Sequence, residues 1–151
     1  ANYLGKGLFC VGLNSATNAL FLSLLALGIK SGDEVIVPTW TFASTAQVVE
    51  WIGAKLLLCD VDENTLNIDI NYLEKLITKK TKAIIVVHIA GYPCEMDKIL
   101  EIAKKHNLKV IEDAAHAIGT KYNGTKIGNH SDAVCFSFYA TKNLAMGEGG
   151  A

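Results

Sequence analysis

Lys142 stands between an apolar run, Ala133 to Phe138, and the glycine-rich turn Gly147-Glu148-Gly149-Gly150. A lysine amine is strongly hydrated and ordinarily projects from the surface. One flanked by strand signals and small residues reads as a base held in a cleft, where it can add to a carbonyl as a Schiff base; the alternative is a surface lysine at a loop mouth. Asp113 and His116 follow a second apolar run, Leu108 to Glu112, and place a carboxylate beside an imidazole. Ser137 brings a hydroxyl just ahead of the lysine. Thr17 and Asn18 sit in Asn14-Ser15-Ala16-Thr17-Asn18, where a helical pattern begins. Free amides at a helix start, with the helix dipole, favour a phosphate, although plain capping by Ser15 or Thr17 would use the same residues. Phe42, with Trp40 close by, follows the run Glu34 to Val37. An aromatic there can lie flat on a planar ring or simply pack.

Strands and helices have to deliver these groups to one place. Leu8 to Leu13 reads as a strand, the polar turn follows, and Ala19 to Leu27 is a helix closed by Gly28. Glu34 to Val37 is a strand ended by Pro38; Thr41 or Ser44 then opens a helix that runs toward Ile52 and stops at Gly53. Ala54 to Cys59 is a strand, Asp60-Val61-Asp62-Glu63 a solvated loop, and Asp69 a cap for the helix Ile70 to Ile77. The basic turn Lys79-Lys80-Thr81-Lys82 leads to Ala83 to Ile89, whose β-branched run suits a strand buried on both faces. Ala90-Gly91-Tyr92-Pro93 is a turn, and Met96 to His106 is an amphipathic helix stopped at Asn107. After the strand Leu108 to Glu112, the stretch Lys121 to Ser131 contains Asn123-Gly124, a hairpin signal between short segments, and Ala133 to Phe138 is the last strand. This alternation predicts an α/β fold, a mainly parallel sheet with right-handed crossovers and helices on both faces. Ligands of such sheets bind beyond the carboxyl ends of the strands, the edge shared by the Ser15 turn, Phe42, Asp113 and His116.

With 151 residues, half of them hydrophobic, the chain can bury one domain core. Its 14 basic and 15 acidic residues are interspersed, which leaves no footprint for nucleic acid or an anionic membrane and favours a small-molecule partner. The four cysteines, Cys10, Cys59, Cys94 and Cys135, are far apart among apolar neighbours and read as reduced core residues, not as disulfides or metal ligands. No apolar run is long enough to span a bilayer and no signal-peptide pattern opens the chain, so a soluble cytoplasmic protein is expected.

A phosphate-suited turn, an aromatic, a carboxylate with an imidazole, a hydroxyl and a lysine together are what an enzyme holding pyridoxal phosphate requires. The motifs Ser15-Ala16-Thr17-Asn18-Ala19-Leu20, Gly32-Asp33-Glu34-Val35-Ile36-Val37-Pro38, Glu112-Asp113-Ala114-Ala115-His116-Ala117 and Ser137-Phe138 to Gly150 occur in that order. They resemble the DegT/DnrJ/EryC1/StrS family of fold-type-I, pyridoxal-phosphate-dependent sugar aminotransferases. The resemblance implies that Lys142 is the Schiff-base lysine, that Asp113 partners the pyridine nitrogen and that His116 lies near the phenolic oxygen. It further implies that Thr17, Asn18 and Ser137 hold the phosphate and that Phe42, in preference to Trp40, stacks on the ring.

By the same resemblance, residues 1–151 are part of a cofactor-binding large domain without its small carboxyl-terminal domain, from a protein expected to be a homodimer. In the family the strand beginning just after Gly150 pairs with the first strand, so Leu8 to Leu13 is expected to be without its neighbour and to present an exposed sheet edge. The implied reaction moves an amino group, with glutamate as the usual donor, onto a nucleotide-linked keto sugar. Two other readings stay open: a sugar dehydratase of the same superfamily, in which a histidine replaces the lysine, and a cofactor-free fragment kept for interaction.

Overall fold

A computed structural model describes residues 1–5 and 7–151. Strands β1 (Glu34–Pro38), β2 (Lys55–Cys59), β3 (Thr81–Val87), β4 (Lys109–Asp113) and β7 (Ala133–Cys135) form one sheet in the order β2-β1-β3-β4-β7, every pairing parallel. The short strands β5 (Lys121–Tyr122) and β6 (Thr125–Lys126) make an antiparallel hairpin. Its turn is Asn123-Gly124, both at positive φ (47° and 80°), the conformation a two-residue hairpin turn demands. Helix α1 (Ala16–Ala26) precedes β1, and α2 (Ala43–Trp51), α3 (Ile70–Leu76) and α4 (Met96–His106) connect β1 to β2, β2 to β3 and β3 to β4.

Strand periodicity sorts the core into two layers. Val35, Val37, Ile85 and Ile111 pack with Leu20, Leu24, Val48 and Val49 of α1 and α2, whereas Ile36, Ile84, Val86 and Val110 pack with Leu73, Met96 and Ile99 of α3 and α4. Residues two apart on a strand share a face, and adjacent ones oppose. Each fully buried aliphatic side chain contributes roughly 1.5–3 kcal/mol. Continuing the same parity puts Asp113 below α1 and α2 and Glu112 on the opposite face. Strand β1 goes first to β2 on one side, and the chain then crosses to β3 on the other, so the order reverses at β1 and opens a crevice at the carboxyl ends.

Asp69 caps α3 by accepting from the Asn71 amide, and Asn107 ends α4 in the left-handed conformation, φ 54°, as expected. Other boundaries differ. The first helix begins at Ala16, not Ala19, with Ser15 accepting from the Asn18 amide. Helix α2 begins at Ala43 with Phe42 as an N-cap that offers no side-chain bond; the Thr41 hydroxyl bonds Thr45 instead. Residues Ile89–Gly91 form a 3-10 turn beyond β3.

The strand expected at Leu8 to Leu13 does not form. Only Leu13 pairs, in a single antiparallel bridge to Gly150, and Phe9 is 100% exposed. A strand persists only where a neighbour satisfies its amides and carbonyls, and the segment beside it is Gly150-Ala151. Cys10 is correspondingly exposed, which corrects its reading as a core residue; Cys59, Cys94 and Cys135 are buried and free. The last strand is also shorter than Ala133 to Phe138. Beyond Cys135, Phe136 exchanges backbone bonds with Ala151 and Ser137 bridges to Gly150, so the pairing turns antiparallel.

Candidate active site

Asp113 ends β4 with its side chain facing α2, and the residue is 5% exposed. Its Oδ2 accepts from Thr45 Oγ1 at 2.8 Å, and its Oδ1 accepts from the Ala115 amide at 3.1 Å. Thr45 is fully buried on α2 and its hydroxyl lies 2.8 Å from that of Thr41. Burial pushes the Asp113 carboxyl above its usual range, against the bonds from Thr45 and the Ala115 amide and the influence of His88 and Lys142 nearby. Among the described residues no basic side chain forms an ion pair with it. A buried carboxylate with donors but no cation is a place where a protonated ring nitrogen fits.

Lys142 lies in the loop after β7, half-buried, and its Nζ is 2.6 Å from His116 Nε2. The lysine and the imidazole are thus brought together at the edge where Asp113 ends its strand. Burial and the Lys142 charge hold His116 below the ordinary histidine range, with Asp113 pulling the other way.

Gly150 brings Ser137 to the start of α1, the helix that carries Thr17 and Asn18. Gly150 bridges to both Ser137 and Leu13, and a Cβ added to it would stand 2.3 Å from the Ser15 carbonyl carbon and 2.6 Å from the Ala16 nitrogen. Only glycine lets the backbone approach the helix start so closely. Helix geometry gives the Ala16 and Thr17 amides no carbonyl partner, while the Asn18 amide is taken by Ser15 Oγ at 3.2 Å. Asn18 Nδ2 donates to Asn14 Oδ1 at 2.6 Å. Phe42 is less integrated: it lies beyond β1, 78% exposed, tied to the Asp113 corner through its carbonyl, which accepts from the Thr45 amide. Trp40 is exposed beside it.

Two features escape a reading of the site from motifs. Thr45 holds Asp113, and its signal was a hydroxyl in the first turn of the helix after β1. His88 and Glu112 form a fully buried pair behind Asp113, Nε2 to Oε2 at 2.9 Å, with Ser131 Oγ donating to Glu112 Oε1 at 2.6 Å. His88 Nδ1 accepts the Cys94 amide, so Nε2 carries the proton given to Glu112. The His88 amide also donates to the Asp113 carbonyl at 3.1 Å, fixing the end of β4. The signal was a polar residue inside each apolar strand run. Among the described residues no cluster suits a metal and no helix is long and apolar enough to cross a membrane.

Comparison with known proteins places the whole chain in one family. The spore coat polysaccharide biosynthesis protein SpsC of Bacillus subtilis is 55% identical over 140 residues, 93% of this chain and 36% of that protein. GDP-perosamine synthase of Caulobacter vibrioides is 50% identical over 150 residues, 99% of this chain and 40% of the synthase. The solved structure of Spr1654 from Streptococcus pneumoniae in its PLP form superposes with a TM-score of 0.89 at 38% identity, covering 93% of this chain and 40% of that one. The chain therefore spans about two fifths of the length of the relatives it matches. The sequence profile of one family matches residues 1–151, and this chain belongs to it: the DegT/DnrJ/EryC1/StrS aminotransferase family.

Proposed function

We propose that this chain forms the cofactor-binding part of a pyridoxal-phosphate-dependent aminotransferase that acts on a nucleotide-linked keto sugar. The observation that carries this reading is the buried Asp113 carboxylate without a cationic partner, beside a lysine at the same strand edge. The perosamine synthase and the PLP-form structure among its relatives support the substrate class and the cofactor. Glutamate as donor, a homodimer and a cytoplasmic location belong to the same proposal.

When bound, pyridoxal phosphate supplies an electron sink for the negative charge left on a donor carbon that loses its proton. Asp113 would hold the proton on the ring nitrogen, its charge stabilised by Thr45 and the Ala115 amide. Thr17, Asn18 and Ser137 would hold the phosphate at the start of α1, and Phe42 would cover the ring. Lys142 would bond the cofactor and, once released by the donor amine, carry the proton as general base and then acid. A lysine at position 142 disfavours the dehydratase reading, which places a histidine there.

Lys142→Ala tests this in the full-length protein. Turnover and the visible absorbance of the lysine-bound cofactor should disappear together; retention of both would refute the assignment. A panel of UDP-, dTDP- and GDP-linked keto sugars then identifies the acceptor.

A further inference from the structure

We propose that His116 is a positioning residue that holds Lys142 in the cofactor-free protein, its neutral imidazole accepting a hydrogen bond from the lysine ammonium through Nε2. The contact is 2.6 Å long. An ammonium group has three donors and no acceptor, so the lysine must donate and Nε2 must lack a proton. The imidazole proton then sits on Nδ1. His88 in the same chain has the opposite arrangement, because its Nδ1 accepts a backbone amide.

The direction of control follows from what is fixed. His116 belongs to a turn clamped by the bonds Ala114 N to Cys135 O, Ala117 N to Ala114 O and Thr120 N to Ala117 O. Gly91, at φ +83°, packs so closely on the His116 carbonyl that an added Cβ would stand 2.8 Å from it. Lys142 instead rides on a loop whose following residues, 143–148, are exposed. A lysine has large rotamer freedom to lose, so the imidazole on its rigid turn is the anchor and the amine is what is anchored.

Protonation would end the arrangement. An imidazolium has no lone pair to offer and would put two cations at hydrogen-bond distance. Among the described residues the charges acting on His116 are Lys142 and Asp113; partial burial of this exposed residue and the Lys142 charge move the ring below the ordinary histidine range, with Asp113 pulling the other way. The lysine is therefore held through neutral pH and let go on acidification.

Only the consequence for cofactor capture rests on the proposed function; the contact itself is tested without cofactor. Long-range proton–nitrogen spectra of histidine-labelled, cofactor-free protein should show His116 with its proton on Nδ1 and His88 with its proton on Nε2. In Lys142→Met the His116 proton should redistribute between the nitrogens and its titration midpoint should rise. A His116 proton on Nε2 in the wild type, or a midpoint unmoved by Lys142→Met, overturns the proposal. Capture of pyridoxal phosphate, followed by visible absorbance, should slow about tenfold in His116→Leu. His116→Gln keeps an acceptor that does not titrate, so its capture should fall less than that of His116→Leu and lack the acid fall-off of the wild type. Equal capture in all variants at every pH overturns the positioning role. No capture in any variant, with the expected spectra intact, supports the contact and overturns the cofactor reading instead.

Discussion

Asp113→Asn separates the charge of this carboxylate from its shape. In the folded chain both oxygens accept, one from Thr45 and one from the Ala115 amide. An asparagine can leave its carbonyl on the Ala115 amide and turn its NH2 toward Thr45, whose hydroxyl then donates to Thr41 Oγ1, 2.8 Å away. No hydrogen bond is lost, and the buried charge is removed. Burial raises the pKa of Asp113 in the folded state, so between the unfolded and folded values the folded chain keeps a proton that the unfolded chain has released. Wild-type stability consequently falls as pH rises through that window, by about 1.4 kcal/mol for each unit of upward shift. Urea unfolding of cofactor-free protein should find the variant within about 1 kcal/mol of wild type at the acid end and increasingly more stable than wild type as pH rises to neutral. Catalysis should move the other way. With cofactor bound and its visible absorbance retained, turnover should drop about a hundredfold, close to 3 kcal/mol of lost transition-state stabilisation. Parallel pH profiles for the two proteins would refute the electrostatic argument, and near-normal turnover at full cofactor occupancy would refute the catalytic one.

Thr45→Val keeps the volume and removes the donor to Asp113, so it should lower stability by about 1–3 kcal/mol at neutral pH, shrinking as acid protonates the carboxylate; a pH-independent loss in urea titrations would contradict it. Gly150→Ala drives a methyl into the Ser15 and Ala16 backbone and should cost about 1–3 kcal/mol while weakening phosphate binding, measured by calorimetry with pyridoxamine phosphate. Glu112→Ala strands the His88 Nε2 proton in the core and should cost about 3 kcal/mol or more. Glu112→Gln should cost about 1 kcal/mol or less, because its NH2 can donate to Ser131 while that hydroxyl donates to the Ala133 carbonyl, 2.9 Å away. Similar thermal shifts in the two variants would show that the pair is not what holds His88.

Local signals determined much of this protein from the sequence alone. Val35-Ile36-Val37 and Ile84-Ile85-Val86 are apolar on both faces, which only a strand covered by two helical layers satisfies, and Asn123-Gly124 and Asn107 wrote their turns into their residue types. That Asp113, His116 and Lys142 come to one edge could be read ahead of the structure, because each follows an apolar run and the carboxyl ends of parallel strands share that edge. The tertiary structure decided what depends on a partner across the fold. Leu8 to Leu13 has a strand's composition, yet backbone pairing is a property of two segments, and only Leu13 meets one. Thr45, His88 and Glu112 show in the sequence only as polar residues in a helix start or an apolar run; which groups they pair with does not, since hydrogen bonds spanning 68 and 24 residues leave no local pattern. The approach of Lys142 to His116 is of the same kind: the sequence supplied an amine and an imidazole, and the packing of two loops set them 2.6 Å apart.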